Sequence, residues 1–171
     1  MKLTEIKEKL NDLSKSELVK IIVELYQKSP ENIELIGSKF NSDYEKIAFE
    51  KYKKQIIDEF FPERGDGKLR YSNMRKALKN FKDISKNPKF IAELMMIHVE
   101  YGVKFTNEYG DIDEKFYNNI AGMYSKLLDY LNKNDIISDY KKRCYEIYEK
   151  TNNIGWGFHD EMGELYYEYC E

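Results

Sequence analysis

Apolar residues recur along this chain at the three-and-four spacing of amphipathic helices almost from end to end. The first run carries Leu3, Ile6, Leu10 and Leu13 on one face. Ser14 and Glu17 have the spacing of a capping box, and the helix they open carries Leu18, Ile21, Ile22 and Leu25. Ser29-Pro30 pairs an N-cap with proline at the first helical position, which predicts a short third helix ending near Phe40. Ser42 and Glu45 repeat the capping-box spacing. The helix behind them carries Tyr44, Ile47, Ala48, Tyr52, Ile56 and Phe60, and stops before Pro62.

Residues 62–68, with Gly65, Asp66 and Gly67, form the clearest internal loop. A helix over residues 69–85 turns Tyr71, Met74, Leu78 and Phe81 inward. Asn87-Pro88 starts the longest apolar helix. Phe90, Ile91, Leu94, Met95, Ile97, Tyr101 and Phe105 cover much of its circumference, which predicts a central place in the fold. Gly110 reads as its C-terminal stop, and Asp111 with Glu114 as the next cap. Then come a stripe of Tyr117, Ile120, Ala121, Tyr124, Leu127, Leu128 and Leu131, and a helix carrying Ile136, Ile137, Tyr140, Cys144, Ile147 and Tyr148. After a break over residues 152–157, the last helix offers Phe158, Met162, Leu165, Tyr166 and Tyr169.

The expectation is an all-α chain of about eight antiparallel helices joined by short loops, forming one domain over residues 1–171. An irregular stack of helix pairs, like an α-α superhelix, and a closed bundle both fit the pattern. Composition agrees. Only 3 prolines and 9 glycines suit long helices, and 42% hydrophobic residues are too many for a disordered chain. The 15 tyrosines can line helix seams with their hydroxyls hydrogen-bonded. No signal-peptide-like or membrane-spanning apolar run stands out, and the two cysteines, Cys144 and Cys170, make no disulfide framework, so a cytoplasmic setting is expected.

Charge is distributed unevenly. Residues 64–89 hold nine cations against two anions, a local +7 in a chain whose net charge is −3. Arg75, Lys79, Lys82 and Lys86 share one helical face, away from Met74, Leu78 and Phe81, and with Lys68 they form a candidate surface for an anionic partner. The alternative is a solvated face, and the excess of lysine over arginine argues against shaped bidentate recognition. Residues 155–171 hold five carboxylates and no lysine or arginine, so this acidic end is a candidate cover for the basic stripe.

Trp156 and Phe158, set among glycines, are a candidate aromatic docking spot; packed inward, they would staple the last helix. His159 with Asp160, Glu161 and Glu164 matches no known metal spacing. His98 shares a face with Ile91, Leu94, Met95 and Phe105, the setting of a core histidine. Cys144 lies on an apolar stripe, the setting of an inert thiol. No catalytic residue, metal ligand or cofactor site is assigned.

The stretch Glu93-Leu-Met-Met-Ile-His-Val-Glu-Tyr-Gly-Val-Lys-Phe-Thr-Asn-Glu-Tyr-Gly-Asp-Ile112 resembles a bacterial family known only as a domain of unknown function. Leu13-Ser-Lys-Ser-Glu-Leu18 and Gly155-Trp-Gly-Phe-His159 resemble that family's two ends. The resemblance implies a helical bacterial protein and carries no activity, cofactor or site residue with it. The functional expectation is therefore a non-enzymatic helical module that binds another protein. The alternatives are binding of nucleic acid or another polyanion through residues 64–89, and an enzyme with an inter-helix site using His98 or His159. No membrane association is expected, and the oligomeric state is left open.

Overall fold

A computed structural model describes residues 1–41 and 43–170. The chain is all-α, 78% helical, with nine helices and no strand among the described residues. They are α1 (Leu3–Asn11), α2 (Lys15–Lys28), α3 (Pro30–Gly37), α4 (Asp43–Phe60), α5 (Tyr71–Ile84), α6 (Pro88–Tyr109), α7 (Glu114–Lys133), α8 (Ile137–Glu149) and α9 (Phe158–Cys170). None of these helices is long and apolar enough to cross a membrane. The described residues divide into two units, Met1–Glu45 and Lys46–Glu171, and the boundary falls in the first turn of α4.

Most of the expected caps form. Ser14 and Glu17 close the capping box of α2, and the Ser29 hydroxyl accepts the Asn32 N–H at the start of α3. Ser42 lies outside the described residues. The α7 cap differs from the expectation: Asp113, not Asp111, accepts the Phe116 N–H, at 2.7 Å. Asp111 instead accepts the Tyr117 hydroxyl, so its carboxylate fastens the α6–α7 turn from outside the helix.

The Met1–Glu45 unit contains no buried residue among those described. The stripes of α1 and α2, which the periodicity turns inward, are half-buried or exposed here, with Leu3 at 70% and Ile22 at 48%.

The core lies in the Lys46–Glu171 unit. Helix α6 is apolar nearly all round, and twelve of its 22 residues are buried, as befits an element packed on several sides. It contacts α5, α7 and α8, while α9 packs on α7 and α8. Gly102 sets the α6–α7 approach: a Cβ there would fall 2.3 Å from Ile120 Cδ1. Helix α4 reaches the core through aromatic rings. Phe49 meets Phe81 and Phe90, and Phe60 meets His98 and Phe105, with centroids 5.1–6.2 Å apart.

The α4–α5 loop is held against the end of α4. Gly67 is required there, because a Cβ would lie 2.2 Å from the Phe60 carbonyl oxygen. The Leu69 N–H donates to the Glu59 carbonyl at 3.0 Å. Leu69 stands outside α5 with φ +51°, and the helix begins two residues later than the spacing implies.

Candidate functional site

Helices α5, α6 and α7 leave a cleft of about 360 Å³ between them. On α5, Arg75, Leu78, Lys79 and Lys82 follow the i, i+3, i+4, i+7 spacing of one face and all line it, so Leu78, expected away from the cations, lies among them. Met95 comes from α6, and Met123, Lys126, Asp129 and Tyr130 come from α7. The floor is apolar, since Leu78, Met95 and Met123 are buried. The rim is cationic: Arg75, Lys79 and Lys126 are exposed and Lys82 is half-buried.

These four cations have no carboxylate partner among the described residues. Asp129, the only carboxylate lining the cleft among the described residues, is engaged 2.8 Å away by Lys133. Arg75 reaches only the Asn119 side-chain oxygen, at 3.4 Å. The Lys82 ammonium lies 5.2 Å from the Tyr130 ring centroid. Burial, then the positive charge of Lys126, pulls its pKa below the usual lysine value. Like charges crowded beside an apolar floor raise the free energy of the empty cleft, and a bound anion would lower it.

His98 is buried on α6, one turn from Met95, and its Nε2 has no hydrogen-bond partner. Burial pushes its pKa down to about 4, with smaller contributions from Arg75 and Lys126. The ring packs edge-on against Phe60, 5.7 Å between centroids. At neutral pH it is an uncharged core imidazole with no hydrogen-bonded carboxylate or thiol among the described residues. His159 lies at the α8–α9 junction, where Nδ1 is 2.8 Å from the Thr151 hydroxyl and the ring stacks on Tyr148. Burial raises the Cys144 thiol to about 12, far from a thiolate at neutral pH. Among the described residues no three His, Cys, Asp or Glu side chains are grouped to hold a metal ion.

Of the five cations in the candidate stripe, three converge here. Lys68 sits exposed in the α4–α5 loop, and Lys86 lies past the end of α5 with its ammonium on the Lys82 carbonyl at 3.0 Å. Lys126 was not anticipated. Its only signal is a position three residues from Met123 and four from Tyr130 along α7, and nothing in that spacing points to α5. Of the acidic end, Asp160, Glu161, Glu164 and Glu168 of α9 form no ion pair with these cations among the described residues, and Glu171 lies outside those residues. The aromatic pair separates: Phe158 is buried against Tyr117 at 4.9 Å and docks α9, whereas Trp156 is 63% exposed.

A second cleft, of about 400 Å³, lies beside α6 and α8. Its carboxylate Glu100 is already engaged by Arg143, whose Nη2 lies 2.7 Å away, while Nη1 is held 2.7 Å from Glu93. Lys104 and Lys150 also line this cleft and form no ion pair among the described residues, but its one carboxylate is held by a bidentate arginine.

Fold and site together define an all-α protein with a cationic, apolar-floored cleft. No curated protein and no solved structure matches the chain. A family of unknown function (DUF6155) matches it over residues 1–170, and the chain belongs to that family.

Proposed function

We propose that this chain is a non-enzymatic interaction module that takes up an acidic segment of a partner protein in the α5–α7 cleft. One observation carries the reading: four cations without carboxylate partners ring an apolar floor. Such a site matches an apolar side chain flanked by aspartate or glutamate, the apolar group filling the cleft and the carboxylates meeting its rim. A nucleic acid calls for a run of cations along a phosphate track. Lys68 and Lys86, which would extend such a track, do not line the cleft, and the site is compact.

The test is fluorescence anisotropy with a labelled peptide carrying one phenylalanine between acidic residues. Binding is expected at low salt and weakens as salt rises. Lys79→Glu and Lys126→Glu should each weaken it about tenfold or more. No binding at low salt, or full binding by Lys126→Glu, would refute the reading. Displacement of the peptide by nucleic acid at equal charge concentration would shift the assignment to the polyanion alternative.

A further inference from the structure

The Met1–Glu45 unit has helices but no core. Among its described residues Val19, Ile21, Ile22, Val23, Leu25 and Leu35 are between 36% and 50% exposed, and Phe40 is 84% exposed. The polar side of α2 is the stripe Glu17, Lys20, Glu24 and Gln27; apart from Lys15, Ser16 and Lys28 at its ends, the rest of the helix is apolar. A helix of that pattern needs cover on more than one side; α3, with the Tyr44 ring from the start of α4 beside Tyr26, covers only part of it, since Val19, Ile22, Val23 and Leu25 stay 45–50% exposed. Between α2 and α3 lies a groove of about 490 Å³, lined by Val19, Ile22, Val23, Tyr26, Ile36 and Phe40. Well-formed caps and the Asn32 side-chain bond to the Leu25 carbonyl (2.7 Å) hold the α2–α3 hairpin in shape, so the apolar face is presented by a defined element.

We infer that this face is a homodimer interface, covered by the same face of a second copy of the chain. Three observations favour a copy over another occupant. First, residues 1–45 carry seven cations and nine anions, a near balance with the signs interleaved, so two copies do not repel. A strongly acidic or basic partner would find no single-sign field there, unlike the α5–α7 cleft. Second, the groove and the 84% exposed Phe40 on its wall belong to one patch, so two copies related by a two-fold axis can each offer a ring to the other's groove. Third, a piece this short sits near the size at which a separate core needs oligomerisation, and pairing doubles the apolar surface available for one. The inference is independent of the proposed cleft function.

The test is the mass of the full chain by analytical ultracentrifugation across a concentration series. A dimer of twice 20.5 kDa is expected. Val23→Glu combined with Phe40→Glu should raise the dissociation constant at least about tenfold, with the melting of the Lys46–Glu171 unit unchanged. A second readout does not depend on that variant folding well. A nitroxide on Glu24→Cys, on the polar side of α2 and clear of the proposed interface, should give a dipolar coupling that disappears on dilution with unlabelled chain, with Cys144 and Cys170 buried from the label. A monomer at every concentration, a dimer that survives the double substitution, or a label with no coupling between copies would overturn the inference.

Discussion

Glu59 is a carboxylate with a 5% exposed side chain on the last turn of α4, and its removal tests how the cleft helix α5 is positioned. Its oxygens accept the Arg70 backbone N–H at 3.0 Å, the Asn73 side-chain amide at 2.9 Å and the Arg70 guanidinium at 2.8 Å. Helix α5 has no side-chain N-cap of its own, so Glu59 serves that end from outside and places a negative charge at the positive pole of the helix. Losing one partner of a buried ion pair costs about 3–5 kcal/mol when the other stays buried. The Arg70 side chain is 54% exposed and regains water, so that figure needs discounting. What remains is an orphaned N–H, an orphaned amide and the lost dipole contact, about 2–3 kcal/mol for Glu59→Ala. Urea unfolding followed by far-UV circular dichroism and by Trp156, the single tryptophan, should show the midpoint falling by about 1 M at unchanged slope. Glu59→Gln keeps the shape and should lose about half as much. Burial raises the Glu59 pKa, but its bonds to Arg70 and Asn73 outweigh that and hold it below the usual value. Its contribution is therefore complete above the unfolded pKa and is lost as pH falls through the folded one. The Gln variant should lack that acidic loss. A cost for Glu59→Ala under about 0.5 kcal/mol, the range of ordinary surface substitutions, would refute the reasoning.

Two further outcomes follow from the core. Gly102→Ala should destabilise by about 1–3 kcal/mol despite the better helix propensity of alanine, because its Cβ meets Ile120 Cδ1 at 2.3 Å; Ile120→Val, which deletes that methyl, should recover at least half of the loss in a double-mutant cycle by urea unfolding. His98 has a folded pKa of about 4 against an ordinary 6.5, so the unfolded chain takes up a proton first and stability falls as pH drops from 6.5 toward 4, by about 3 kcal/mol in total. In His98→Leu that drop should vanish, with stability at pH 7 equal or higher because an unpartnered Nε2 is removed; an unchanged pH profile would count against a neutral buried imidazole.

Belonging to a family of unknown function, the chain takes its functional reading from its own surface. That surface carries two different faces. One is cationic and compact, suited to a partner of opposite sign; the other is apolar and nearly charge-balanced, suited to a copy of itself. The two tests read separate variants, so either can fail alone.

Local signals determined most of the element map. Capping boxes, Pro30, Pro88 and Gly110 are one-dimensional marks of helix ends, because the orphan N–H and C=O groups they serve lie within a few residues of them. The broad apolar circumference of α6 marked it as central for the same reason: a helix apolar all round has no side to leave in water. Periodicity also placed Arg75, Lys79 and Lys82 on one face. What it could not supply was depth or distance. The stripes of α1 and α2 read like those of α5 and α7, yet the first two bury nothing here, whereas α7 buries its full stripe and α5 all of its own but the half-buried Tyr71, because burial depends on what an amphipathic face meets. Lys126 joins cations some fifty residues earlier only because α7 packs beside α6, where Gly102 lets the helices approach closely. Glu59 reads in the sequence as one more polar residue of α4, and only the return of the loop at Gly67 turns it into the cap of α5. Sequence alone determined helices, ends and faces, since these are set by neighbours three or four positions apart. Tertiary structure decided which faces meet, and with them the cleft, since that depends on contacts between residues far apart in the chain.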